Sequence, residues 1–479
     1  MSSQLRVYNT LTRSEEDFLP LKDKKVNMFV CGQTVYDDAH LGHAKNYINF
    51  DVIARWLRHM GYDLTYVQNI TDIDDKIIAR AHERNVDPFV LAREYEKRFL
   101  DDMGAIGVTA SINAYPRSHD YIEDMKDQIQ LLLEKGYAYV LDGDIYFDVA
   151  KFPDYTRLSG MKLEELEKHR IETMPGKRHT YDFALWKGSK PGEPSWKITV
   201  KDKGNEQTLD GRPGWHIEDT AIAKHLFGPQ YDLHGGALEL IFPHHTNEIA
   251  QAEAAFGRKP FVKYWLHSGI MRTKGEKMSK SLRNFISIRQ FLGTYDAEVL
   301  RLLVCSTHYT KDIEYTEELA KNAQKRLRYL YSSFSILLNA KEGSEGQADD
   351  KAAMKINEKL TADFSAAMND NFNTPLALTH LSNAIEGMRN LVEQKGSIGK
   401  GMKEHSAGHI TEFAALLGIL QEKRFKVPLS TEALSLLKER DKLRQSGKYD
   451  EADKIRAKLK KEHGIILEDS QYGTLWYRE

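Results

Sequence analysis

His40-Leu41-Gly42-His43 sets two imidazoles three residues apart, so both project from one face of a helix's first turn. A helix N-terminus carries partial positive charge and unpaired N–H groups, which makes it a seat for phosphate. Gly42 leaves room there for a nucleotide to approach the backbone, and two imidazoles can stabilise charge developing on an α-phosphate as pyrophosphate leaves. Farther along, Lys277-Met278-Ser279-Lys280-Ser281, flanked by Gly275 and Asn284, places two lysines in a polar loop able to fold over β- and γ-phosphates. Cys31, directly before Gly32, offers a thiolate. His244 and Glu248, four apart on an expected helix, offer an imidazole and a carboxylate on one face. A thiolate, an imidazole and a carboxylate are a plausible zinc set. Each motif alone has a plainer description: two structural histidines, a solvated loop, a buried thiol.

Elements must hold these groups in place. Residues 24–30 form an apolar-rich run that stops at Cys31-Gly32 and reads as a short buried strand. Ile48, Val52, Ile53, Trp56, Leu57 and Met60 then recur at helical spacing until Gly61, and Leu64 to Val67 reads as a second strand. Strand, helix, strand in that order predicts a βαβ unit feeding a parallel sheet, which places ligands beyond the carboxyl ends of its strands. From about 116 to 209, clusters such as Lys190-Pro191-Gly192-Glu193-Pro194 break the rhythm and read as an insertion. The α/β pattern returns with 231–236, a helix over 244–256 and an apolar segment at 262–266. Beyond Tyr295 the spacing predicts helices over 296–304, 317–340, 356–368 and 375–392, with loops or linkers at 341–347 and around 396–408.

Composition narrows the class. The chain has 479 residues, 41% hydrophobic and 29% charged, which excludes disorder and suggests about three domains. Lys+Arg 68 against Asp+Glu 70 leaves −2, so no global field points to nucleic acid or membrane. Two cysteines cannot build a disulfide scaffold, and a reducing cytoplasm is the expected home. No apolar run is long enough to span a bilayer, and the N-terminus lacks the apolar core of a secretory signal. One local field stands out: residues 438–461 hold ten Lys/Arg and five acids, net +5, followed by Tyr472, Trp476 and Tyr477. A basic helix pair beside rings suits a single-stranded nucleic-acid loop, while a solvated charged hairpin is the plainer alternative.

The His-x-Gly-His and Lys-Met-Ser-Lys-Ser motifs, on opposite halves of an α/β domain split by an insertion, resemble the signature of the class I aminoacyl-tRNA synthetases. Longer segments are similar to the cysteinyl-tRNA synthetases: Tyr8 to Arg13, Val30 to Asp37, Asn69 to Lys76, Asp182 to Lys187, Arg212 to Glu218, Asp232 to Gly236, Phe242 to Gln251, Asp370 to Pro375 and Gly473 to Trp476. The resemblance implies a doubly wound, Rossmann-like parallel-sheet catalytic domain (1–115 and 210–295) split by a connective insertion (116–209). Stem-contact helices (296–345), an α-helical bundle (346–424) and a small anticodon-binding domain (425–479) would follow. It implies ATP-dependent ligation of L-cysteine to tRNA(Cys) by a cytoplasmic monomer, with Mg²⁺ accompanying ATP and one Zn²⁺ selecting cysteine. By the same resemblance His40, His43, Lys277 and Lys280 are catalytic, and His40, His43, His234, Gly235, Gly236 and Lys280 hold ATP. Gly32, Thr71 and Trp215 would line the cysteine pocket, and Arg440, Arg444, Lys454, Arg456 and Trp476 would meet tRNA.

The metal set implied is Cys31, Asp219, His244 and Glu248, with one departure: Asp219 stands where the family usually carries a second cysteine. With zinc, this set leaves the same single net negative charge as two thiolates would, and aspartate is a legitimate zinc ligand. Either Asp219 ligates or water takes its place. Two rivals remain at this stage: the mycothiol-pathway ligase, disfavoured by the long region after Tyr295, and a non-catalytic RNA-binding paralogue, disfavoured by two intact phosphate motifs.

Overall fold

A computed structural model describes residues 4–162, 176–202, 205–277, 285–344, 348–395, 397–421, 430–470 and 473–478. Two compact units emerge. Residues 6–294 with 309–314 form one, and residues 295–308 and 315–479 with the chain's first five form the other.

The core of the first unit is a parallel sheet of β1 (Lys25–Thr34), β2 (Asp63–Thr71), β3 (Tyr231–Ala237) and β4 (Val262–Ser268), in the order β4-β3-β1-β2. Val26, Met28, Phe29 and Val30 are all fully buried, as expected where both sheet faces are covered. Helix α1 (Leu41–His59) joins β1 to β2, burying Ile48, Val52, Ile53, Trp56 and Leu57 before Gly61 turns the chain at φ 87°. Helix α2 (Ile217–Phe227) precedes β3, and helix α3 (His244–Phe256) joins β3 to β4. From β1 the chain moves to β2 on one side, and β3 and β4 fill the other. The connections therefore diverge between β1 and β3, and the crevice at their carboxyl ends is the ligand position of an open α/β sheet.

The insertion is an antiparallel five-stranded sheet of Ala138–Leu141, Asp144–Phe147, Phe183–Gly188, Asn205–Pro213 and Trp196–Asp202, in that spatial order. Its strand Asn205–Pro213 runs past the expected boundary at 209, because Arg212 and Pro213 still pair with Lys187 and Trp186.

The second unit is helical: Ala297–Cys305, Glu317–Leu338, Ala348–Asn369, Thr374–Lys395 and Lys400–Leu417. Both expected linkers are corrected. Lys341–Gly343 and Ser397–Gly399 pair as a short parallel ribbon, and from Lys400 the second is helix. Gly401 and Gly408 hid that helix, since each costs it roughly 1 kcal/mol. Burial of Ser406, Ile410, Phe413, Ala414 and Leu417 at helical spacing outweighs them. No helix among the described residues is long and apolar enough to cross a membrane.

The C-terminal segment is a helix pair, Thr431–Gln445 and Tyr449–His463, followed by the hairpin Ile465–Ser470 and Gly473–Arg478. Ala433, Leu437, Leu459, Ile465 and Leu467 form its core, with Trp476 half-buried against them. Much of the basic stripe is neutralised internally. Asp469 accepts from Arg440 and Arg444 and lies 3.8 Å from Arg456, whose Nη2 donates to Leu467 O at 2.7 Å. The Arg440 side chain is 0% exposed, which corrects its assignment to a tRNA-contacting surface: it is a buried structural ion pair.

Removing Arg440 deletes the buried two-pronged contact to Asp469, leaving it the partly exposed Arg444 and Arg456, and costs about 1–3 kcal/mol, the scale of a lost charged hydrogen-bond partner. Arg440→Ala should therefore speed amide hydrogen exchange across 431–478 while leaving the first unit's amides unchanged. Unaltered exchange in that segment would contradict the structural role.

Candidate active site

Strand β1 delivers Cys31 to the crevice and then makes its closest approach to β2. The register between them shifts from Val30 to Gln33, and a Cβ on Gly32 would lie 1.6 Å from Asn69 O. Glycine is required here by the neighbouring strand itself. Gly32 N–H donates to Asn69 Oδ1 at 2.6 Å, tying the end of β1 to β2. Thr71, the last residue of β2, is buried within 3.4 Å of Asn69 Nδ2.

Around Cys31 the fold gathers a buried cluster. Cys31 Sγ is 3.1 Å from Asp219 Oδ2 on α2 and 4.0 Å from Glu248 Oε1 on α3. His244 Nε2 is 3.3 Å from Asp219 Oδ2 and 3.1 Å from Glu248 Oε1. Bond lengths of 2.0–2.3 Å around a tetrahedral zinc put donor atoms about 3.3–3.8 Å apart. These separations of 3.1–4.0 Å bracket that range, and the donor chemistry of the four side chains suits the ion. Glu248 Oε2 is moreover buried without a hydrogen-bond partner, an acceptor still seeking positive charge. His244 is oriented from outside by its Nδ1 contact to His216 Nδ1 at 2.9 Å and by stacking on the half-buried Trp215, ring centroids 4.2 Å apart. Partners of this kind set a ligand's tautomer and direction.

A second donor set shares Cys31 and Glu248: His234 Nε2 and His245 Nε2 lie 3.2 and 3.1 Å from the sulfur. His234, expected to hold ATP, is fully buried here, with its other nitrogen 2.5 Å from Tyr231 OH and its ring stacked on Trp265. The structure thus moves it from the nucleotide to the thiolate cluster, because no face of the ring is open. His245 continues through His267 Nε2 at 2.8 Å to Thr10 Oγ1 at 2.8 Å. Burial pushes His234 and His245 well below the ordinary histidine range, and His267 down to about 3, keeping the imidazoles neutral. Burial also drives the Cys31 thiol up, with Asp219 and Glu248 adding to it, and raises the Glu248 carboxyl, with Asp219 adding. A divalent cation reverses that tendency.

The phosphate motif is differently built from its sequence reading. His40 is the N-cap of α1: its Nδ1 accepts from Gly42 N–H at 3.1 Å, and His43 Nδ1 accepts from His40 N–H at 3.2 Å. The rings stack with centroids 3.9 Å apart. The space beside Gly42 is taken by the His40 ring, 2.8 Å from where a Cβ would sit, and not kept for a nucleotide. Gly235 and Gly236, at the end of β3, likewise lie against the Phe50 and His245 rings. Lys280 lies outside the described residues. Lys277 ends the short strand Glu276–Lys277, and its side chain is likewise outside the description. The backbone resuming at 285 returns to the motif, however: Leu41 N–H donates to Ile286 O at 3.0 Å and Ile288 N–H to Ala39 O at 3.0 Å. Lys45, which the sequence reading missed, anchors α1 by donating to Gly269 O at 2.6 Å, Ser268 Oγ and Tyr309 O. Burial lowers its pKa to about 7. In the other unit, Lys454 is exposed, and Arg444 and Arg456 are partly so.

A family model described as tRNA synthetases class I (C) catalytic domain matches residues 17–325, and a DALR domain model matches 363–421. The switch-point parallel sheet with its inserted antiparallel sheet is accordingly the catalytic domain of a class I tRNA synthetase. The Mycobacterium tuberculosis methionyl-tRNA synthetase bound by methionyl-adenylate shares this fold with a TM-score of 0.58 at 14% identity, over 82% of this chain and 90% of that one. The curated cysteine--tRNA ligase of Thermococcus gammatolerans is 44% identical over 99% of both chains, and that of Geobacter metallireducens 41% over 98% of this chain and 99% of its own. The chain belongs to the cysteine--tRNA ligase family.

Loss of a ligand should exceed the roughly 10–100-fold affinity loss typical of outer partners. Asp219→Ala should therefore release zinc to a chelator more than about 100-fold more readily, and Asp219→Cys should retain it better than the parent, since zinc favours sulfur over oxygen donors. Equal retention in all three proteins would place the ion elsewhere.

Proposed function

We propose that this site recognises L-cysteine by its thiolate and activates it with Mg²⁺-accompanied ATP for transfer to tRNA(Cys). The observation that carries the reading is the buried Cys31, Asp219, His244 and Glu248 set on β1, α2 and α3, in a chain whose β1 leads on to the His40–His43 turn. These four side chains would hold zinc, which would supply a Lewis acid that prefers a thiolate to the hydroxyl of serine, a discrimination large enough to dispense with editing. Gly32, Thr71 and Trp215 enclose the amino acid, and the backbone of Gly235 and Gly236 forms the floor under the nucleotide. The cysteine carboxylate attacks the α-phosphorus, the bond to pyrophosphate breaks, and cysteinyl-adenylate forms. His40 and His43, at the N-terminus of α1, stabilise charge on the phosphates, and Lys277 and Lys280 neutralise the departing pyrophosphate. A terminal ribose hydroxyl of the tRNA then attacks the activated carbonyl and AMP leaves. Positioning and charge stabilisation do most of this work.

In the second unit Arg444, Lys454, Arg456 and Trp476 meet the anticodon region of the tRNA. The working unit is one chain in the cytoplasm.

Lys280→Ala, and His43→Asn, which keeps an acceptor for the helix cap, should slow cysteine-dependent pyrophosphate exchange by about 10²–10³-fold. Full exchange in both would refute the nucleotide assignment. Lys454→Ala combined with Lys460→Ala should leave exchange intact and weaken tRNA binding. The slope of log affinity against log salt should fall by about one to two; an unchanged slope would favour the solvated hairpin.

A further inference from the structure

We infer that Asn69 is the positioning residue that makes Asp219 serviceable as a metal ligand in this chain, by occupying one carboxylate oxygen so that only the other faces the ion. The inference rests on the zinc reading above and deepens it. Asn69 is 1% exposed, at the end of β2, and its side-chain amide is committed on both sides. Its Oδ1 accepts from Gly32 N–H at 2.6 Å, which fixes the direction of the amide. Its Nδ2 therefore points the other way and donates to Asp219 Oδ1 at 2.6 Å. Asp219 Oδ2 is left facing Cys31 Sγ at 3.1 Å and His244 Nε2 at 3.3 Å.

The physical need for such a partner arises from the aspartate itself. A thiolate offers one donor atom, whereas a carboxylate offers two and can bind through both, pushing a four-coordinate zinc toward five. A fifth bond would use the position that an incoming thiolate must take. A hydrogen bond to Oδ1 lowers that oxygen's electron density and holds the plane of the carboxylate, so Asp219 behaves as a one-atom donor. The same amide bonds to the β1 residue directly after Cys31 and lies 3.4 Å from Thr71 Oγ1. One side chain thus sets the relative position of two ligands and a pocket wall.

A two-by-two set of full-length proteins tests this: parent, Asn69→Ala, Asp219→Cys and the double variant, each loaded with Co²⁺. The cobalt d–d bands report coordination number, and competition with a chelator reports affinity. In the parent background, Asn69→Ala should shift the spectrum from four- toward five-coordinate and change metal retention by about 10–100-fold, the scale of a lost outer-shell partner. In the Asp219→Cys background the same substitution should leave the coordination spectrum unchanged, because a thiolate has no second oxygen to release. The bond to Gly32 is lost equally in both backgrounds, so a merely structural Asn69 would perturb both spectra alike, and that result would overturn the inference. Should Asn69→Ala not fold, Asn69→Leu, which fills the same space without a donor or a new charge, gives the same comparison. Absence of stoichiometric Co²⁺ and Zn²⁺ binding in the parent would instead overturn the zinc reading itself.

Discussion

Three groups that carry negative charge when acting as ligands, Cys31, Asp219 and Glu248, are buried within 4.8 Å of one another, and the rest of the catalytic unit is arranged around that constraint. At such distances two like charges repel by about 4 kcal/mol even in a protein-surface dielectric, and burial adds its own penalty to each. A multivalent cation would offset those costs in the charged form. Its parts come from four elements: β1 ends at Cys31, β2 supplies the amide that bonds to Asp219, α2 carries Asp219, and α3 carries His244 and Glu248. Because glycine at 32 lets β1 and β2 close to backbone contact, the thiol and the carboxylate meet where a bulkier residue would hold the strands apart.

The same strand ends connect the cluster around Cys31 to the His40–His43 turn. β1 leads from Cys31 into the turn that caps α1 with two stacked imidazoles, while β3 ends at Gly235 and Gly236 on the other side of the crevice. Lys45 fixes α1 to the end of β4 and to the backbone of Tyr309, and residues 285–288 fold back onto the entrance of the same helix. In the helical unit, electrostatics is used differently. Asp469 gathers three arginines, of which Arg440 is buried and holds the segment together, while Arg444 and Arg456 stay partly exposed and Lys454 lies in solvent.

Much of this was legible in one dimension. The buried run before Cys31, the helix after His40 and the helix from His244 are local patterns of apolar spacing and caps, and they form where the residues say they should. The i, i+4 pair His244 and Glu248 was visible for the same reason. What escaped was of two kinds. Glycines at 401 and 408 masked a helix whose stability comes from packing, and the role of Arg440 depends on an aspartate 29 residues away. The histidines posed the harder problem. Several imidazoles of identical chemistry line the catalytic unit's crevice, and no spacing rule says that His234 turns to the sulfur while His40 caps a helix.

Residue chemistry and order along the chain by themselves determined the element sequence, the phosphate and metal motifs and the aspartate that departs from the usual donor set. The first two follow from local periodicity and from which atoms a side chain carries, and the aspartate stands out only against the family resemblance. Only the tertiary structure decided which oxygen of Asp219 faces the thiol, which histidines surround it and which arginine is buried. Those outcomes depend on distances of a few ångströms between residues as far apart in sequence as 188 positions, and such distances exist only once the strands have packed.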